Sequence, residues 1–388
     1  MRLSNRRGGK KAVGSGVGRR RRVRAAEPTG NRGEWAEILV ALKIPLGGGR
    51  IPVQGLDGNL IKGAFLIAEG MIFRRGKKTS TLRIDHRGKT VYRLGEGGEV
   101  EETWSLQRVS RACKCLINAT NTSKDATFAV KGGRGILNFL GLDSVQAGNC
   151  EKSDISLLVR DKNTGQEGEI GFSVKSSAGQ ASSFFNSSQS TNFIFRVTRL
   201  NSRDISAINR IKTGKKVRKR MQEIKRRGGR MSYVDVSNPI FKKNLTMICG
   251  WLPEMLAEMV RLYSEGKGSS MRDLAAALAN DPVCQKKFGL SEKGYIYKLK
   301  QLLRACVLGM TAGKEWDGSV AVRGGVLLVG KQGELRCILL NNSEELVDFL
   351  YNNAKLDTPS TGRVKCAKIE EKGRRAFMRL GLQIRSRR

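Results

Sequence analysis

Apolar and polar positions alternate with period two in two runs, 154–159 and 169–176, either side of Asn163-Thr164-Gly165. This pattern about a turn signal predicts a β-hairpin folding between Thr164 and Gly165. That register sets Asp154 opposite Lys175. Strand side chains alternate faces, so Ile155, Leu157, Val159, Phe172 and Val174 share a core face, while Asp154, Ser156, Ser173 and Lys175 share the other.

Other segments carry the helical period. Trp35, Ile38, Leu39 and Leu42 fall on one side of 31–43, with Asn31 placed to cap and Pro45 and Gly47 to Gly49 placed to stop it. Glu34 and Glu37 share a side of that helix. Short strands and turns punctuated by glycine are expected over 51–112, an apolar segment at 134–142 and a strand at 193–197. Leucines and methionines stripe 251–263. Ser270 and Asp273 form a capping-box pattern before 270–280, and 292–308 is predicted helical with Tyr295, Leu299, Leu302 and Leu303 inside. A hairpin is expected from 320 to 340 about the turn 330–333, then a helix capped by Ser343.

Charge changes the picture. The 388 residues include 72 Lys and Arg against 35 Asp and Glu, a net charge of +37, which points to a polyanionic partner and favours nucleic acid over membrane. No apolar run approaches the ~20 residues of a membrane span, and no signal-peptide segment opens the chain, so a cytoplasmic location is expected. Basic residues concentrate in 1–30, read as a disordered arm, and in 212–230, read as a solvated connector or an arm over phosphates. The expected division is a 1–30 arm, a 31–210 core region, a 211–232 basic connector and a 233–388 C-terminal region. The eight cysteines are scattered without a CxxC, and His86 is the one histidine. That arrangement supports reduced thiols and argues against zinc sites and histidine-based triads.

A carboxylate beside an ammonium on one strand face suits metal-dependent phosphodiester hydrolysis, in which the carboxylate holds Mg²⁺ and the lysine orients the attacking water. The same pair is also a common surface cross-strand contact, and from the hairpin alone both readings stand. Hydroxyl and amide groups over 176–192, directly after Lys175, suit phosphates and base edges.

Several motifs in order carry a family resemblance. Gly171-Phe172-Ser173-Val174-Lys175-Ser176, Asn186, Thr191-Asn192-Phe193, Gly33-Glu34-Trp35-Ala36-Glu37, Thr358-Pro359-Ser360-Thr361-Gly362-Arg363 and the closing 380–385 together resemble the HpaII-type family of type II restriction endonucleases, over about residues 31–386. The resemblance implies an α/β (α+β) fold, a restriction-endonuclease-like mixed sheet flanked by helices with a PD-(D/E)xK core, and a helical and β-hairpin C-terminal part. It implies Mg²⁺-dependent cleavage of double-stranded DNA at a short palindrome, CCGG being the family's namesake site, leaving 5′-phosphates. A homodimer and a cognate DNA methyltransferase are the implied partners.

By that resemblance Asp154 would take the place of the core's aspartate and Lys175 that of its lysine. Ser173 stands where the family core carries an acid, and six strand residues put Glu169 about 20 Å from Lys175, too far to replace it. Glu37, or Glu34, is the candidate second carboxylate, Glu37 being preferred. Ser176, Gln180, Asn186, Thr191, Asn192, Ser360 and Arg363 are the candidate DNA-reading residues. After Arg363 the chain reads Val364-Lys365, where the family pattern has histidine. The rival from another class is a non-catalytic basic nucleic-acid-binding protein, which would bind with strong salt dependence and need no metal.

Overall fold

The helix Arg32–Leu46 shows how the first half of the chain is built. The Asn31 side chain accepts from the amides of Gly33 and Glu34, and Glu34 reaches back to the Asn31 amide at 2.7 Å, a complete capping box. Trp35, Ile38, Leu39 and Leu42 are all buried. The helix runs past the expected end because Pro45 removes only one donor while Ile44 and Pro45 stay packed. The amides of Gly47, Gly48 and Gly49 then close the last turn.

The computed structural model describes residues 26–75, 78–85, 87–146, 153–160, 166–176, 183–340 and 343–387. It is a mixed α+β protein with two hydrophobic cores. No helix among the described residues is long and apolar enough to cross a membrane. The N-terminal arm up to residue 25, His86, Cys150, the turn residues 161–165 and Gln180 lie outside the described residues.

The first core lies between the helices Arg32–Leu46, Leu106–Thr122 and Gly133–Phe139 and one face of a nine-stranded sheet. The strand order is Arg50–Gln54, Leu335–Leu339, Gly325–Val329, Glu167–Ser176, Ile155–Arg160, Leu60–Arg75, Lys78–Asp85, Thr90–Leu94 and Val100–Ser105. Arg50–Gln54 pairs a second time, with the start of the long strand Leu60–Arg75, which closes six strands into a circuit. Gly325–Val329 runs parallel to Glu167–Ser176. The expected hairpin late in the chain is therefore present, but its two strands complete the first sheet.

The second core is formed by residues from Phe185 to Met310, with Val322, and from Leu346 to Ile384. A four-stranded antiparallel sheet, ordered Arg230–Val236, Asn192–Thr198, Arg375–Gly381 and Ile369–Lys372, packs one face on helices that include Leu252–Glu265. Met271–Asn280 carries the Ser270/Asp273 capping box, and Glu292–Leu308 matches its expected bounds. Residues 183–210 thus pack with the second core, and the expected divisions at 210 and 232 give way to two cores joined by the return of 325–339.

The basic segment differs most from expectation. It contains the helix Lys216–Arg226, which buries Met221, Ile224 and Arg220, so it packs and is no free connector. Arg220 is 3 % exposed and donates to the carbonyl oxygens of Ala367, Asn209 and Ile211 at 2.5, 2.9 and 2.8 Å. A formal charge can face inward here because three backbone acceptors converge on it.

Candidate active site

The predicted hairpin forms between Ile155–Arg160 and Glu167–Ser176 with the expected faces and a different register. Ile155, Leu157, Phe172 and Val174 are buried in the first core, and Val159 packs against it. Ile155 pairs with Phe172 and Ser156 with Gly171, so the ladder sets Asp154 against Ser173 and leaves Lys175 two residues further on. A shift of two preserves every facing, which is why alternation alone could not detect it.

Asp154 sits just before its strand and is tied down there. Its amide donates to Phe172 O at 2.9 Å, and its Oδ2 accepts from Ser173 Oγ at 2.9 Å and from Val174 N at 2.6 Å. Among the described residues Oδ1 has no hydrogen-bond donor. Asp154, Lys175 and Ser176 are half-buried, while Ser156 and Ser173 are buried. The segment before Gly325 covers part of this face. A Cβ on Gly171 would meet the Ala321 carbonyl oxygen at 2.5 Å, and Gly324 N donates to Gly171 O at 2.9 Å.

Arginines complete the face, and the sequence reading did not single out their role. Ile72 pairs with Ser156, so Arg74 lies on the same side of the adjacent strand, next to Asp154. Arg74 holds Glu169 in a two-pronged ion pair, Nη2 to Oε2 at 2.7 Å, and approaches Ser156 Oγ at 3.4 Å. The Arg74 hydrogen bond is the main reason the Glu169 carboxyl sits below its usual pKa. Glu167 is pulled down to about 2 by hydrogen bonds from Arg83 and Arg160. Both glutamates of the strand are thus committed to arginines.

Glu37 is half-buried on the helix that packs against the core face of Glu167–Ser176, opposite the face that carries Asp154 and Lys175, so the preferred second carboxylate is not brought to Asp154, and Glu34 is engaged in the capping box. Among the described residues no group of three or more His, Cys, Asp or Glu is arranged to hold a metal. A hydrated Mg²⁺ does not need such a cage, since it keeps several waters and binds through one or two carboxylates. Asp154, with one unengaged oxygen on a half-buried face, fits that demand.

The candidate DNA-reading residues divide. Asn186, Ser360 and Arg363 are exposed, and Ser176 is half-buried at the end of its strand. Thr191 and Asn192 are buried, which corrects their reading as base contacts. Thr191 Oγ1 donates within its own turn and toward Leu382 O, and Asn192 Nδ2 donates to Val364 O at 2.8 Å. Asn192 therefore pins the loop that displays Ser360 and Arg363.

The model of the HpaII restriction endonuclease family matches residues 31–386. "Type II restriction enzyme HpaII" of Haemophilus parainfluenzae is 30% identical over 357 residues, covering 92% of this chain and 98% of that protein. No solved structure matches the chain.

Proposed function

Because the chain belongs to the HpaII restriction endonuclease family, and so is a type II site-specific DNA endonuclease, we propose that it hydrolyses both strands of a short palindrome, CCGG being the first to test, with Mg²⁺ as its ion. The first sheet would be its restriction-endonuclease-like core. The observation that carries the assignment of the site is the shared face of Asp154, Ser173 and Lys175, with Asp154 Oδ2 locked and Oδ1 unengaged. Asp154 would hold the ion, which when bound supplies positive charge at the scissile phosphate and favours ionisation of water.

The chain's own groups supply the rest. Lys175 donates a hydrogen bond to the attacking water and offsets charge on the phosphate. The water oxygen bonds to phosphorus in line as the bond to the 3′-oxygen breaks; the water gives up one proton to solvent and the leaving 3′-oxygen takes one from solvent, giving a 3′-hydroxyl and a 5′-phosphate. Ser173 takes the place of an acid and holds Asp154 in position. Among the described residues, Ser176, Asn186, Ser360 and Arg363 are the candidates that remain to read bases, and a twofold dimer would match a palindrome. A cognate methyltransferase is the expected companion protecting host DNA.

The test is digestion of plasmid DNA with Mg²⁺ or EDTA, followed by sequencing of the ends. Mg²⁺-dependent 5′-phosphate ends within one palindrome are expected. Asp154→Ala and Lys175→Ala should each lower cleavage at least ~10²-fold while duplex binding persists. Wild-type cleavage by either variant would remove the site assigned here.

A further inference from the structure

We propose that the outer face of the four-stranded sheet in the second core is a separate binding surface for the phosphates of duplex DNA lying outside the cleavage site. One face of this sheet is filled by Phe193, Phe195, Val197, Met378, Leu380 and Ile369, all within the core. The opposite face carries mainly polar and charged side chains. Arg196 pairs across the ladders with Ser232 and Phe377, Thr198 with Arg230, and Arg375 with Lys372. These residues therefore all project outward.

Among the described residues, four cations of this face, Arg196, Arg230, Arg375 and Lys372, have no ion-pair partner, while Arg379 is paired with Glu370. Two acids share the face, and both are already paired: Glu370 with Arg379 at 2.6 Å and Asp235 with Lys242 at 2.9 Å. Arg375 and Lys372 are direct cross-strand partners, an arrangement of like charges that destabilises a sheet by itself. A polyanion reverses the sign of that term. Arg196, Arg375, Phe377, Ser232, Tyr233 and Val234 line a shallow concavity of about 310 Å³, so the charges border a depression in the sheet surface. Phosphate contacts of this kind add affinity and salt dependence without sequence information. The occupant is duplex DNA because the family acts on DNA and four uncompensated cations on one face call for a polyanion. This inference takes its ligand from the proposed function but needs no cleavage to be tested.

The experiment measures binding of full-length protein to a 30-bp duplex lacking CCGG, in EDTA, across KCl concentrations. The variants are the triple Arg196→Gln, Arg230→Gln, Arg375→Gln and a control triple of exposed lysines, Lys114→Gln, Lys286→Gln, Lys293→Gln. Each phosphate contact contributes ~0.9 to the slope of log affinity against log salt, so the sheet-face triple should give a slope shallower by about 2–3. The control should stay within about one unit of wild type. An unchanged slope in the sheet-face triple, or an equal loss in the control, would overturn the assignment. So would a loss confined to single-stranded oligonucleotides, which would make the face a stacking platform around Phe377. Matching thermal transitions for all proteins exclude unfolding, and a catalytically inert wild type would leave this readout intact.

Discussion

Replacing Arg220 by alanine should destabilise the second core and loosen the loop that displays Ser360 and Arg363. The guanidinium is buried, burial lowers its pKa, and it satisfies the carbonyls of Ala367, Asn209 and Ile211. Truncation leaves three acceptors without their donor. At ~1–3 kcal/mol for each unsatisfied buried group, and with water entering the vacated volume to recover part of it, the loss is about 3–4 kcal/mol. Ala367 adds a local reason. It and Lys365 both adopt left-handed backbone, at φ 64° and 51°, a conformation that non-glycine residues hold only when neighbours fix it. Urea unfolding followed by circular dichroism gives the free energy, with Lys219→Ala, the exposed neighbour, as a control for the same change of charge. Arg220→Ala within about 1 kcal/mol of the Lys219 control would refute the clamp, since neither desolvation nor lost hydrogen bonds allow so small a value.

Other outcomes follow from the site's geometry. Ser173→Ala removes the hydroxyl that donates to Asp154 Oδ2 at 2.9 Å, and a hydrogen bond to a carboxylate is worth ~1.5–3 kcal/mol, so kcat should fall ~10-fold or more with KM nearly unchanged. An equal rise in KM would place Ser173 in binding instead. Gly171→Ala puts a Cβ 2.5 Å from Ala321 O and should lower stability by ~1–3 kcal/mol, read as a shift in thermal midpoint; an unshifted midpoint would mean the 319–324 segment is not packed there. Glu167 is held down to about 2 by Arg83 and Arg160, so its folded pKa lies below its unfolded one. The stability it adds is therefore complete above the ordinary carboxylate range and lost as pH falls from about 4.5 toward 2. Glu167→Gln should narrow its deficit against wild type over that window, and a constant deficit would show that the ion pairs contribute nothing pH-dependent.

How far the chain could be read in advance depended on the range of the interactions involved. Glu292–Leu308 and the Ser270/Asp273 capping box were legible because periodicity and capping are settled within a few residues. The faces of the hairpin were legible for the same reason, while its register was not, because alternation is unchanged by a slip of two. Asn192 looked like a surface amide. Its partner, Val364 O, lies 172 residues away, so nothing local reveals that it is a buried strut. Arg220 was counted as part of a charged arm, since sequence gives its charge but not the three carbonyls that meet it. Arg74 went unnoticed because its place beside Asp154 depends on pairing between strands more than eighty residues apart.

The return of 325–339 bears most directly on how the site is assembled. Glu167–Ser176, which carries Ser173 and Lys175, is flanked by Ile155–Arg160 on one side and Gly325–Val329 on the other, with Val326 paired to Ser173 and Leu328 to Lys175. A nuclease unit ending near residue 210 would leave that strand as an open edge, its outward amides and carbonyls unpaired at the candidate site residues. The segment that closes the edge first contributes Val322 to the second core and then rests against Gly171. Seating it therefore couples the second core to the geometry of the first. The loop carrying Ser360 and Arg363 is anchored by Asn192 and Arg220 within that same second core. One folding unit thus holds both the candidate base-reading loop and the strand that braces Lys175, which would give recognition a physical route to the candidate cleavage site through packed backbone.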